Sequence, residues 1–118
     1  MQLLVAVVHE EDKLEAVLSG LVELGAAGAT LVPSEGMARV LLQESPIFAD
    51  VDAFARYARP RNYMLFSVLP DELVDAVFAL LDATLGGLAR PGTGIAFTVP
   101  VDRVLGLASP LGGTNATR

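Results

Sequence analysis

The 118-residue chain is 53% apolar, carries 14 acidic against 8 basic residues for a formal charge of −6, and contains no cysteine. That length matches one domain, able to bury roughly two-thirds of its unfolded surface without disulfide or metal staples. The charge excludes the cationic field that nucleic acids and anionic membranes require, and the missing thiols exclude a disulfide framework, an iron–sulfur cluster, a cysteine-built zinc site and a thiol nucleophile.

No apolar segment reaches the roughly 20 residues needed to cross a bilayer. The first ten residues lack the basic start and small-residue cleavage site of a secretory signal, so the expectation is an untargeted, cytoplasmic chain. The run 3–8, Leu-Leu-Val-Ala-Val-Val, predicts a first strand central in its sheet. Glu10, Glu11 and Asp12 place negative charge at a helix N-terminus, and Leu14, Val17, Leu18, Leu21 and Val22 follow at helical spacing until Gly25. Residues 29–32 read as a short second strand, ended by Pro33 and Gly36.

Residues 36–60 fit no single period and predict a long loop after the second strand, whose latter half has the spacing of one or two helical turns. Residues 63–69 predict a third strand. Pro70, Asp71 and Glu72 open a second helix whose apolar face runs through Val74, Val77, Phe78, Leu81 and Leu85 to the stop at Gly86 and Gly87. A fourth strand follows at 95–99, closed by Pro100, and residues 109–118 form a tail expected to fray.

The two halves repeat. At an offset of 60, Leu14, Glu15, Ala16, Val17 and Leu21 correspond to Val74, Asp75, Ala76, Val77 and Leu81. Two right-handed βαβ units of this kind predict an α+β, ferredoxin-like βαββαβ domain over 1–108: a four-stranded antiparallel sheet with two helices on one face. Both faces of the strands are apolar, so the face without helices is expected to be buried by self-association.

With that element order, Gly28-Ala29-Thr30, Gly36-Met37-Ala38-Arg39 and Gly92-Thr93-Gly94 resemble the Gly-x-Thr, Gly-Phe-Gly-Arg and Gly-Asp-Gly motifs of the PII signal-transduction proteins. Asp71 to Val77 is similar to that family's second helix and Val99 to Val104 to its last strand end, so the resemblance spans about residues 1–105. It implies a homotrimer that binds an adenine nucleotide or another small anionic metabolite in clefts between subunits and signals through loop 36–60. The ligand-binding residues it implies are Thr30, Gly36, Met37, Arg39, Arg90, Gly92, Thr93 and Gly94. Glycines admit close approach of backbone N–H groups to an anion, and arginines offset its charge.

The chain also departs from that family. Ile95 stands where it carries a lysine, and Gly106 and Ala108 where it carries arginines, which under-neutralises a triphosphate. The mid-loop tyrosine that is uridylylated in the family is missing, so covalent control of that kind is not expected. Within the loop, Phe48, Phe54, Arg56, Tyr57, Arg59 and Arg61 are the candidate docking residues for a protein target; the arginines also balance Glu44, Asp50 and Asp52.

Enzymatic motifs are missing: there is no nucleophile elbow, Walker loop, metalloprotease helix or dinucleotide fingerprint. An acylphosphatase-like activity needs a glycine-rich, arginine-bearing loop after the first strand, where this chain has His9-Glu10-Glu11-Asp12. A non-enzymatic regulator is therefore expected. The alternatives are a CutA-like trimer responding to divalent metals, for which His9 is the only histidine, and a ligand-free interaction scaffold.

Overall fold

The computed structural model describes residues 1–9, 11–44, 62–90 and 92–108. Its elements run β1 (Gln2–Val8), α1 (Glu11–Leu24), β2 (Thr30–Ser34), α2 (Met37–Glu44), β3 (Asn62–Leu69), a 3₁₀ turn (Asp71–Leu73), α3 (Val74–Thr84) and β4 (Gly94–Pro100). The strands form one antiparallel sheet in the order β2-β3-β1-β4. Each βαβ half straddles a strand of the other: β3 separates β1 from β2, and β1 separates β3 from β4. The ferredoxin-like fold expected from the repeat is thereby realised, with both central strands paired on either side.

The alternation of β1 divides the sheet into two faces. Leu4, Ala6 and Val8 join Leu65 and Leu69 of β3, Val17 and Leu21 of α1, and Val77 and Leu81 of α3, with Leu85 just beyond it, in one buried cluster. The helices α1 and α3 thus cover one face of the sheet. Where they cross, Gly20 removes a side chain: a Cβ there would fall 2.5 Å from Leu80 Cδ1. Ser67, buried on the same face, donates its hydroxyl to the Gly28 carbonyl at 2.7 Å and ties β3 to the segment entering β2.

The other face carries Leu3, Val5 and Val7 beside Met64, Phe66 and Val68 of β3, Val32 of β2, and Ile95, Phe97 and Val99 of β4. Val32, Ile95, Phe97 and Val99 are 42%, 56%, 45% and 43% exposed. Among the described residues no element covers this face, and its outer strands leave these large apolar side chains exposed.

Two expected boundaries change. Residues 37–44, read as part of an irregular loop, form α2, whose first turn closes with Val40 N–H donating to the Gly36 carbonyl at 3.2 Å. Pro33, read as ending the second strand, lies inside β2; a proline without an N–H is tolerated there because β2 is an edge strand. The remaining loop residues, 45–61, and with them Phe48, Phe54, Arg56, Tyr57, Arg59 and Arg61, lie outside the described residues, as does the tail 109–118.

At the opposite end of the sheet the N-terminal ammonium of Met1 meets Asp71 Oδ1 at 3.0 Å, and the Met1 carbonyl accepts from Val101 N–H. The hydrogen bond and charge of that ammonium hold the Asp71 carboxyl below its ordinary value. Because the folded state lowers this pKa, the pair stabilises the fold above the ordinary carboxylate range and loses its contribution as pH falls through the lowered value. Thermal melts should show Asp71→Asn slightly less stable than wild type near neutrality, with the difference vanishing under strongly acidic conditions; a difference that persists there excludes the ion pair as its source.

Candidate functional site

The antiparallel register gathers four chain segments at one end of the sheet: the C-terminal ends of β1 and β2 and the N-terminal ends of β3 and β4. Val8 lies opposite both Tyr63 and Gly94, and Ser34 lies opposite Asn62. The segments expected to bind ligand, 36–39 and 90–94, therefore emerge from the same end. They do so at opposite edges, because β2 and β4 are the outer strands. The full width of the sheet, three gaps of about 4.8 Å each, separates them within one chain.

At the β2 edge, Pro33, Ser34, Glu35, Arg39, Asn62 and Tyr63 line an open cleft of about 360 Å³. Asn62, only 4% exposed, forms its inner wall, and with the imidazole proton on Nδ1, His9 donates to Asn62 Oδ1 at 2.7 Å. This bond joins the end of β1 to the start of β3, across 53 positions of sequence. Gly36 packs against the same amide: a Cβ there would lie 3.3 Å from Asn62 Nδ2. Arg39 donates from Nη1 to Glu35 Oε1 at 3.2 Å, one helical turn away. Both side chains retain solvent contact. The pair is therefore worth about 0.5 kcal/mol or less. Met37 is 77% exposed beside it.

At the β4 edge the chain turns tightly between α3 and β4. Gly86, Gly87, Gly92 and Gly94 all have positive φ, and the turn is fastened internally. Leu88 N–H donates to Asp82 Oδ1 at 2.7 Å, Arg90 Nη1 to the Gly86 carbonyl at 3.1 Å, and the Thr93 hydroxyl faces the carbonyls of Gly87 and Arg90 at 3.0 and 2.9 Å. Arg90, Thr93 and the glycines thus share one internally bonded turn. Ile95 lies opposite Val7 on the apolar face of the sheet without helices.

Thr30 is not at this end. It lies opposite Phe66 and lines a separate cleft of about 320 Å³ formed by Ala27 to Thr30, Leu3, Phe66, Val68 and residues 106–108. The residues expected to bind ligand therefore lie in three separate places in one chain. Sequence reasoning missed Asn62 and Glu35. A buried asparagine opening a strand is recognisable only once His9 is known to face it, whereas Glu35 and Arg39 carried a readable i,i+4 signal.

Among the described residues no three His, Asp or Glu side chains converge as a metal-ligand set, and no helix is long and apolar enough to cross a membrane. Glu10, one of the acids at the expected helix start, lies outside the described residues. No protein-family model and no curated protein matches the chain.

Proposed function

We propose that the protein is a PII-like homotrimeric regulator that binds a small anionic metabolite, an adenine nucleotide foremost, in clefts between subunits and signals through residues 36–60. The observation that carries this reading is the division of the expected site between opposite edges of a sheet whose open face is apolar. One chain holds Gly36 and Arg39 at the β2 edge and Arg90 to Gly94 at the β4 edge, with two strands between them. A closed ring built on the open faces sets the β2 edge of one copy beside the β4 edge of the next and completes the cleft.

Signalling then follows from population shift. A ligand held by Arg39 at the start of α2 favours one arrangement of the following segment, and only its difference in affinity between arrangements does regulatory work. Arg39→Ala should weaken ADP or ATP binding by roughly 10-fold or more, the loss of a charge-assisted contact, while leaving the assembly intact. Isothermal titration with sedimentation on the same samples tests this. Unchanged affinity rejects the assignment of Arg39, and no binding of either nucleotide rejects the nucleotide reading and leaves an interaction scaffold.

A further inference from the structure

The cleft at the β2 edge is lined by one carboxylate, Glu35, and one guanidinium, Arg39, in contact at 3.2 Å, and by no other charged side chain. It therefore offers both charges while carrying no net charge. Among the described residues neither side chain has another hydrogen bond or ion pair. A guanidinium presents five N–H donors and a carboxylate two acceptor oxygens, so the contact from Nη1 to Oε1 leaves donors on Arg39 and acceptor capacity on Glu35. We infer that this cleft binds a free α-amino acid with an apolar side chain, its carboxylate on Arg39 and its ammonium on Glu35.

The charge balance selects the ligand class. A simple anion gains Arg39 but meets Glu35, and a simple cation gains Glu35 but meets Arg39. A molecule with a carboxylate and an ammonium on one carbon answers both, because its charges sit side by side like those of the pair and can be set in the opposite sense. Each group then makes a charge-assisted hydrogen bond, and Arg39 can take the carboxylate with two parallel N–H donors. Arg39, the more sheltered of the two, sits on the first turn of α2 with Glu35 just ahead of it, so the backbone fixes their spacing. Behind them Asn62 closes the inner wall, and Pro33 and Tyr63, partners across the β2–β3 ladder, give ring surface against which an apolar side chain packs. The volume of about 360 Å³ is at the small end of the range for small-molecule sites, which suits one amino acid.

This inference goes beyond the nucleotide reading and does not rest on it, since every lining residue belongs to one chain. Isothermal titration of the full chain with L-leucine tests it, beside isocaproate, which lacks the ammonium, and isoamylamine, which lacks the carboxylate. Leucine should bind saturably, and each truncated analogue about 10-fold more weakly or worse. Glu35→Gln and Arg39→Gln should each cost leucine about 10-fold or more, whereas Arg103→Gln, beyond the end of β4, should leave its affinity unchanged. Far-ultraviolet spectra report the folding of each variant, and the analogue series, run on wild type alone, decides even where a variant fails to fold.

No saturable leucine binding, or equal affinity for either analogue, overturns the amino-acid site. Leucine affinity that survives Glu35→Gln, or that falls equally in Arg103→Gln, overturns it as well. ADP separates the two proposals: because Glu35 opposes an anion, ADP held by Arg39 should bind Glu35→Gln at least as well as wild type. ADP binding of that kind without leucine binding removes the amino-acid site and leaves the nucleotide reading standing. Leucine binding that needs Glu35, without ADP binding, upholds the amino-acid site and removes the nucleotide.

Discussion

Gly94→Ala is expected to lower the melting temperature by about 10 °C or more. Gly94 opens β4 with φ +138°, a backbone conformation that L side chains rarely adopt, and a Cβ there would lie 2.6 Å from the Val7 carbonyl oxygen. The obstacle is backbone of the central strand, so no rotamer change relieves it. Separating β4 from β1 at Val8 sacrifices ladder bonds, and keeping them together forces strain. Either route costs roughly 3 kcal/mol. For a domain near 100 residues each kcal/mol moves the midpoint by about 4–8 °C. Gly28→Ala is the matched comparison, because nothing lies within 4 Å of its added methyl and its φ is not positive. That variant should melt within a few degrees of wild type, stabilised by about 0.5 kcal/mol if at all. Calorimetric melts that place the two together contradict the close approach of β4 to β1.

The strands and long helices were legible because apolar runs were punctuated by acids, proline and glycine. Gly25 and Gly86, both at positive φ, follow the ends of α1 and α3 where the period breaks. The helix α2 was not legible. It has no acid in the first turn and no base in the last, so neither end was marked, and Val40-Leu41-Leu42 read as extended as easily as helical. Pro33 misled for a different reason. Proline stops an interior strand but not an outer one, and the outer position of β2 depends on pairing with β3, which enters the chain only after α2 and the loop beyond it.

Of the candidate site, the glycines and Arg39 and Arg90 could be read in the sequence, because they belong to local motifs. The contacts that strand pairing creates could not. His9 meets Asn62 only because β1 and β3 are antiparallel neighbours. The division of the candidate ligand residues between two edges follows from the strand order, in which β2 and β4 are the outer strands.

If the chain forms the proposed trimer, Phe97→Asp is expected to convert it into single chains without unfolding them. Phe66, Val5 and Phe97 form a row across the middle of the open face, with Val5 only 6% exposed between the two rings. Phe97 itself is 45% exposed in the isolated chain. A carboxylate there stays hydrated and should cost folding no more than about 1 kcal/mol. In an assembly closed over this face the same carboxylate is stripped of water without a partner, a penalty of several kcal/mol in each copy. The native gain it must overcome is of the same order, and Phe97's own share of that gain is lost with the substitution. Val32, Ile95, Phe97 and Val99 are each about half exposed. They have roughly 1 kcal/mol apiece still to gain from burial. Light scattering coupled to size exclusion should therefore return the mass of one chain for Phe97→Asp and of three for wild type, with superimposable far-ultraviolet spectra. Asp at Phe78, 36% exposed on α3 and away from the sheet's open face, should leave the mass unchanged. A Phe97→Asp protein that keeps the wild-type mass places the subunit contact elsewhere. It also removes the cleft between neighbours, since the β2 and β4 edges meet only if the open faces do.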